Sequence, residues 1–286
     1  MRNVHLHVAE GVVINVETLQ SELVGSAPGK APAFDDPASY TMRLKAAEMS
    51  MDAGSLTALV GRVFGTGSPV KDLKLSIEEG SIKQTGKLQR GIVIPFSMKT
   101  SVSPTPDGRI RLHATSLKAI GIPVKGMLDL FGVELDNLMK APGGRGITIE
   151  GDDILLSPAD VLPPPATEGR VKNVRVASDR LVMTMVGPGG PPRRPSTLPE
   201  PASRNYLYFY GGTVRFGKLT MDDADLQLVD ADPRDLFDFF PARYFKQLVA
   251  GYSRTTSRGG LKVMMPDYAD IGTAAGAVRP PRVGRK

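Results

Sequence analysis

Apolar and polar residues alternate along several stretches of the chain: Val4, Leu6 and Val8 with His5 and His7, then Leu73, Leu75 and Ile77 with Lys74, Ser76 and Glu78. The same period of two runs through Ile92, Ile94, Phe96 and Met98, and through Ile110, Leu112 and Ala114. Successive strand side chains point to opposite faces, so the pattern predicts strands with one buried and one wet face, as in antiparallel sheets. Residues 41–51 also alternate, with a slip at Ala46-Ala47 that predicts a bulge. Pro106-Asp107-Gly108, set between two alternating stretches, predicts a hairpin turn.

Two segments carry helical spacing instead. Residues 55–64 place Leu56, Leu59, Val60 and Val63 on one face, with Asp52 or Ser55 as the cap. Residues 123–140 confine Lys125, Asp129, Asp136 and Lys140 to a narrow polar stripe, while Met127, Phe131, Leu135 and their neighbours cover the rest of the circumference. A helix apolar over so much of its surface must be enclosed on several sides. Gly126 and Gly132 each cost about 1 kcal/mol inside it and predict a kink near Gly132.

After Val186 the composition changes. Gly187-Pro188-Gly189-Gly190-Pro191-Pro192, with Pro195, Pro199 and Pro201 beyond, reads as a loop. Aromatic residues then concentrate, from Tyr206, Phe209 and Tyr210 to Phe237, Phe239, Phe240, Tyr244, Phe245 and Tyr252. Strand-like alternation returns at Val214 and Phe216, at Leu219 and Met221, and at Ala224, Leu226 and Leu228, with two slips of register. A short helix opened by Pro241 and closed by Gly251 follows. The organisation read from the chain is a curved-sheet domain over 1–186, a Pro/Gly-rich loop over 187–205, an aromatic hairpin and short helix over 206–271 that dock on the first region, and a flexible basic tail over 272–286.

Composition narrows the chemistry. The 31 Gly and 24 Pro favour short strands and many turns over long helices. Without Cys there are no disulfides, thiolate nucleophiles or cysteine metal sites, and three His leave little imidazole chemistry. Four basic residues, Arg279, Arg282, Arg285 and Lys286, lie in the last ten residues of a chain whose net charge is +6, so the excess charge belongs largely to the tail. Such a tail is expected to solubilise, or to touch anionic membrane. No apolar stretch approaches the ~20 residues of a spanning helix, and residues 1–8 lack the uninterrupted apolar run of a secretory signal.

Individual motifs have plain structural explanations. His5 and His7 share one strand face and His113 sits on the wet face of another, but no carboxylate stands beside them at ligand spacing, so solvated surface is the better reading. Asp222, Asp223, Asp225, Asp230, Asp232, Asp235 and Asp238 lack the central Gly and terminal Glu of a calcium loop and read as strand charges, turn formers and a cap before Leu236. Gly212-Thr213-Val214-Arg215-Phe216-Gly217-Lys218 resembles a phosphate loop, but Leu219 stands where a hydroxyl must hold magnesium. Gly143-Gly144-Arg145-Gly146 and the Asp152-Asp153 pair read as turns. No nucleophile elbow or zinc helix is present. The aromatics lie apart from the basic tail, against the interleaving that nucleic acid requires. Neither catalysis nor a cofactor or metal is expected.

Gly80-Ser81-Ile82, Gly86-Lys87-Leu88, Ile94-Pro95-Phe96, Asp107-Gly108-Arg109-Ile110-Arg111-Leu112, Ile122-Pro123-Val124-Lys125-Gly126 and Gly151-Asp152-Asp153-Ile154-Leu155-Leu156-Ser157-Pro158 resemble the bacterial LmeA-like phospholipid-binding family and, more broadly, the tubular lipid-binding folds. The resemblance spans roughly residues 70–186 and rests on turns and strand pairs. It implies an α+β, β-rich fold in which a strongly curved antiparallel sheet wraps one or two helices, holds acyl chains in an apolar interior and acts in the cell envelope. On that reading the chain binds or carries a phospholipid or other amphiphile, with Leu75, Ile77, Ile94, Phe96, Met98, Leu112, Met127, Phe131 and Leu135 as the lining. The 12 Met would add compliant apolar surface. The alternative is a structural or assembly protein whose aromatic C-terminal region is a protein–protein interface. A hydrolase with a carboxylate site stands behind both.

Overall fold

The computed structural model describes residues 1–65, 68–90, 92–119, 146–151, 153–188 and 203–278. The region of the amphipathic segment 123–140, with Met127, Phe131 and Leu135, and the four basic residues of the tail lie outside them.

The chain opens with β1 (Arg2–Ala9), β2 (Val12–Gly25) and β3 (Tyr40–Asp52), followed by α1 (Ala53–Phe64). A compact antiparallel series comes next: β4 (Val70–Glu78), β5 (Ser81–Arg90), β6 (Ile92–Pro104), β7 (Ile110–Ala119), β8 (Ile147–Glu150) and β9 (Asp153–Leu156). A single turn, α2 (Pro158–Val161), leads into β10 (Ala166–Glu168), β11 (Arg170–Ala177) and β12 (Arg180–Val186). The last third contributes β13 (Tyr206–Tyr210), β14 (Thr213–Phe216), β15 (Leu219–Asp222), β16 (Asp225–Asp230), β17 (Phe237–Phe239), α3 (Tyr244–Ala250), β18 (Tyr252–Thr255) and β19 (Leu261–Met265).

Among the described residues these strands form two main sheets and a ribbon. The larger sheet runs β11-β12-β3-β2-β1-β13-β16-β19-β18, with β10 beside β3 and β17 beside β1; the smaller runs β4-β5-β6-β7-β9-β8; β14 and β15 pair alone. The fold is α+β and β-rich, a strongly curved, largely antiparallel half-barrel with few helices. The strands of the last third are therefore not a free-standing hairpin: β13 and β17 pair with β1 itself.

Local chemistry explains the elements. Asp52 caps α1 by accepting the Ser55 N–H at 2.7 Å, and Leu56 and Leu59 are its buried face. β2 and β3 shift register opposite Gln20 and Ser21, where Lys45 is the extra residue, one position from the slip in the alternation. The β6–β7 turn brings the two sheets together: Val171 of β11 donates to the Gly108 carbonyl at 2.8 Å. Gly108 has φ of 89°, and a Cβ there would stand 2.3 Å from that of Arg170, so only glycine fits. Leu236 opens no helix; a strand follows it at once, because Phe237 and Phe239 alternate into the core beside Val4 and Leu6.

Candidate functional site

The inner face of the smaller sheet gathers part of the expected lining. Register places Leu88 opposite Ile94, Gly86 opposite Phe96 and Gln84 opposite Met98, while Met98 faces Leu117 across the β6–β7 pair. Leu88, Ile94, Phe96, Met98 and Leu117 are buried together as a second apolar cluster, with Phe64, Val70, Leu73, Ala114 and Ile154 packed on it. Gly86 makes room for the aromatic ring: a Cβ at that position would lie 3.1 Å from two ring carbons of Phe96. Leu75, Ile77 and Leu112 sit further along the same face but join the main core instead, Leu112 buried and the other two half-buried. Between the two groups lies a buried polar pair, in which Gln84 Nε2 donates to Thr100 Oγ1 at 3.4 Å and Thr100 donates to the Ile82 carbonyl at 3.2 Å. The face therefore carries an apolar end with two polar groups at its inner margin.

A separate cavity of about 800 Å³ opens in the larger sheet, and none of the expected lining residues borders it. Arg2 of β1 pairs with Thr18 of β2 on one side and Tyr206 of β13 on the other. Beyond this row β2 continues to Gly25 and β13 to Tyr210, each paired, among the described residues, only with its outer neighbour. The cavity fills the space between them, floored by Phe34, Leu207 and Phe209 and rimmed by Glu22, Lys45 and Tyr210. Phe34 is held in place by backbone bonds to β14, with Phe34 N–H to the Arg215 carbonyl at 2.9 Å and Arg215 N–H to the Pro32 carbonyl at 2.8 Å. Its ring stacks on Phe216 at 4.5 Å and meets Tyr244 edge-on at 5.3 Å. The alternation of Tyr206, Leu207, Tyr208, Phe209 and Tyr210 is the sequence signal for one wall; the opposing wall is visible only once the pairing is known.

A third grouping ties β1 to the last third. His7 Nε2 and Asp238 share a hydrogen bond, and the His7 ring stacks on Phe240 at 5.2 Å. Burial opposes the charge on Asp238, yet the hydrogen bond and charge of His7 and the Ala269 N–H hold its carboxyl below the ordinary value. Burial lowers the pKa of His5 on the same strand. His113 lies on the other sheet, beside Asp153 at 2.8 Å, so the three imidazoles do not converge. His7 is not the solvated surface residue its spacing implied; it is half-buried within this junction.

The acidic run disperses in the same way. Asp222 accepts from Thr213, Asp225 pairs with Arg258 and Asp232 with Arg234. Asp230 and Asp235 instead approach Asp267, with oxygens of all three within 4.8 Å of one another. Asp267 follows β19 and was not part of the run. Burial pushes Asp230 to about 6 and Asp267 to about 7. These are the described carboxylates able to share a cation, but each buried member already accepts hydrogen bonds: Asp230 from Asn205 at 2.9 Å and the Asp232 N–H at 2.8 Å, Asp267 from the Asp238 N–H at 2.7 Å. The phosphate-loop look-alike is β14 and its turn, which leaves no nest of amides.

No family model, curated protein or solved structure matches the chain.

Proposed function

We propose that this protein binds an amphiphile, in the first place a phospholipid, without transforming it, on the inner face of the smaller sheet. The observation that carries the reading is the second apolar cluster. Five large apolar side chains from three adjacent strands are set apart from the main core, with Gln84 and Thr100 at their margin. Ligand sites are typically mostly apolar with a few placed polar groups, and this face has that composition. Methionine among the lining tolerates acyl chains of different shape. The resemblance of residues 70–186 to lipid-binding families points the same way and would place the protein in the cell envelope.

Native mass spectrometry of the purified protein, with extraction of bound lipid, tests the proposal. Co-purifying lipid is expected, and Phe96→Asp is expected to abolish it while circular dichroism retains the strand signal. Lipid-free protein, or retention unchanged by the substitution, would refute the assignment.

One observation favours assembly as the second reading. Phe245 and Val249 project from α3 one turn apart at 64% and 68% exposure, beyond what scattered surface residues require. A stable lipid-free oligomer that Phe245→Ser with Val249→Ser dissolves would support that reading.

A further inference from the structure

The spacing of His5 and His7 lacks a carboxylate, and the fold supplies one. The two histidines occupy alternate positions of β1 and so share a face. β17 runs parallel to β1, in a register that sets Val4 opposite Phe237, His5 opposite Asp238 and Leu6 opposite Phe239. Both phenylalanines are buried in the core, which turns Asp238, between them, to the face of the imidazoles. There Asp238 shares its hydrogen bond with His7 Nε2, and the rings of His5 and His7 stand 5.9 Å apart between centroids. A zinc ion bound through nitrogen lies ~3.2 Å from the centre of an imidazole, so two rings on one tetrahedral ion are separated by roughly 5–6 Å. We propose that His5, His7 and Asp238 form a binding site for a zinc-class divalent ion, three protein ligands with a fourth position open to water.

The neighbours hold two of the three ligands in place. Asp238 Oδ2 accepts the Ala269 N–H at 3.0 Å, and the backbone N–H of Asp238 donates to Asp267 at 2.7 Å. The carboxylate is thus oriented from behind, as ligating carboxylates are. His7 is wedged between Phe240, stacked at 5.2 Å, and Tyr268, edge-on at 5.9 Å. His5 differs, being half-buried and, among the described residues, without a side-chain hydrogen bond. An imidazole withdrawn from water without a partner is unfavourable, and a turn of its side chain onto an ion shared with His7 and Asp238 satisfies it. Two imidazoles and one carboxylate are a donor set for zinc, whereas calcium and magnesium take oxygen ligands. Binding releases the proton that His7 and Asp238 share. The ion would also tie β17 to β1, so that it stabilises the seam between the last third and the first strand. The site belongs to the larger sheet and is independent of the amphiphile reading.

The test uses the full chain, stripped with a chelator, reloaded with zinc chloride and dialysed. Elemental analysis is expected to find about one zinc per chain, and the melting temperature should rise by several degrees with zinc. With cobalt(II) in place of zinc, the ring-proton resonances of two of the three histidines should shift strongly while those of His113 stay put. His5→Gln leaves the His7–Asp238 bond intact and is expected to keep the circular dichroism of the parent while weakening zinc binding at least about tenfold. Asp238→Asn should weaken it similarly, and His113→Gln should leave it unchanged. No retained zinc, a cobalt shift at His113 in place of His5 and His7, or retention that survives His5→Gln because the Asp230–Asp235–Asp267 carboxylates carry the ion would overturn the proposal.

Discussion

In the larger sheet, Leu207, Leu226, Leu228, Phe237 and Phe239 are sealed to 0–1% exposure inside one continuous cluster that also takes in Leu56 and Leu59 of α1. In the smaller sheet the inner face is divided: Ile82, Ile110 and Leu112 belong to that main cluster, and Leu88, Ile94, Phe96, Met98 and Leu117 form their own beyond Gln84 and Thr100. The difference is one of coupling. A perturbation in the larger sheet is transmitted through contiguous packing to the whole molecule. One at the outer end of the smaller sheet reaches the main cluster through Ile154, which packs on both, and across the Gln84–Thr100 pair, a narrower connection from which easier local opening is expected. Binding regions are drawn from such weakly coupled parts.

The largest expected effect is Phe239→Ala. The side chain is fully buried at the seam between β1 and β17, and its loss should cost about 3–5 kcal/mol in urea unfolding. The matching substitution Phe96→Ala should cost less globally and appear as faster amide exchange confined to β5, β6 and β7. Equal global losses would erase the distinction. Gly86→Val is next: its branched carbon must displace the Phe96 ring or the Lys71 carbonyl, both 3.1 Å from the first added atom, at about 1–3 kcal/mol. Combining it with Phe96→Ala should recover part of that loss in a double-mutant cycle.

A smaller effect depends on pH. Asp267 is held at about 7 by burial, against an ordinary value of 3.8, so the folded state keeps a proton there that the unfolded chain has released. Its contribution is favourable at low pH and is lost as pH rises through 7. Asp267→Asn removes the charge and keeps an acceptor for the Asp238 N–H. It should raise the melting temperature by a few degrees at pH 8 and change it little at pH 4. The smallest effect sharpens the comparison of the sheets directly. Thr100→Val alone strands the Gln84 amide and should cost about 1 kcal/mol, whereas adding Gln84→Leu should bring stability back to near the starting value and merge the two clusters. Amide exchange at the outer end should then slow toward that of the larger sheet.

Much of the strand pattern was legible because burial on one face writes a period of two. The hairpin at Pro106-Asp107-Gly108 and the Asp52 cap are local chemistry, which sequence carries in a few adjacent residues. Pairing across long separations is not written that way. The alternation of Phe237 and Phe239 is visible, but nothing local says that their partners are Val4 and Leu6. Ile94, Phe96 and Met98 could be read as one face, yet whether Leu75, Ile77 and Leu112 belong with them depends on where the second sheet approaches. The cavity was invisible for the same reason, since its walls come from β2 and β13. The Asp230–Asp235–Asp267 group needed Asp267, which lies well beyond the end of the acidic run at Asp238.

The seating of β17 against β1 has a consequence for the newly made chain. During synthesis β1 finds its partner β2 within a few residues, but its opposite edge waits until residues 206–239 have been made. Until then it is an open row of peptide groups beside exposed valine and leucine, the combination most apt to pair with the wrong chain. Completion of the larger sheet is thus postponed until the strands beyond residue 205 have been made, and in the interval that edge is the surface a chaperone would have to shield.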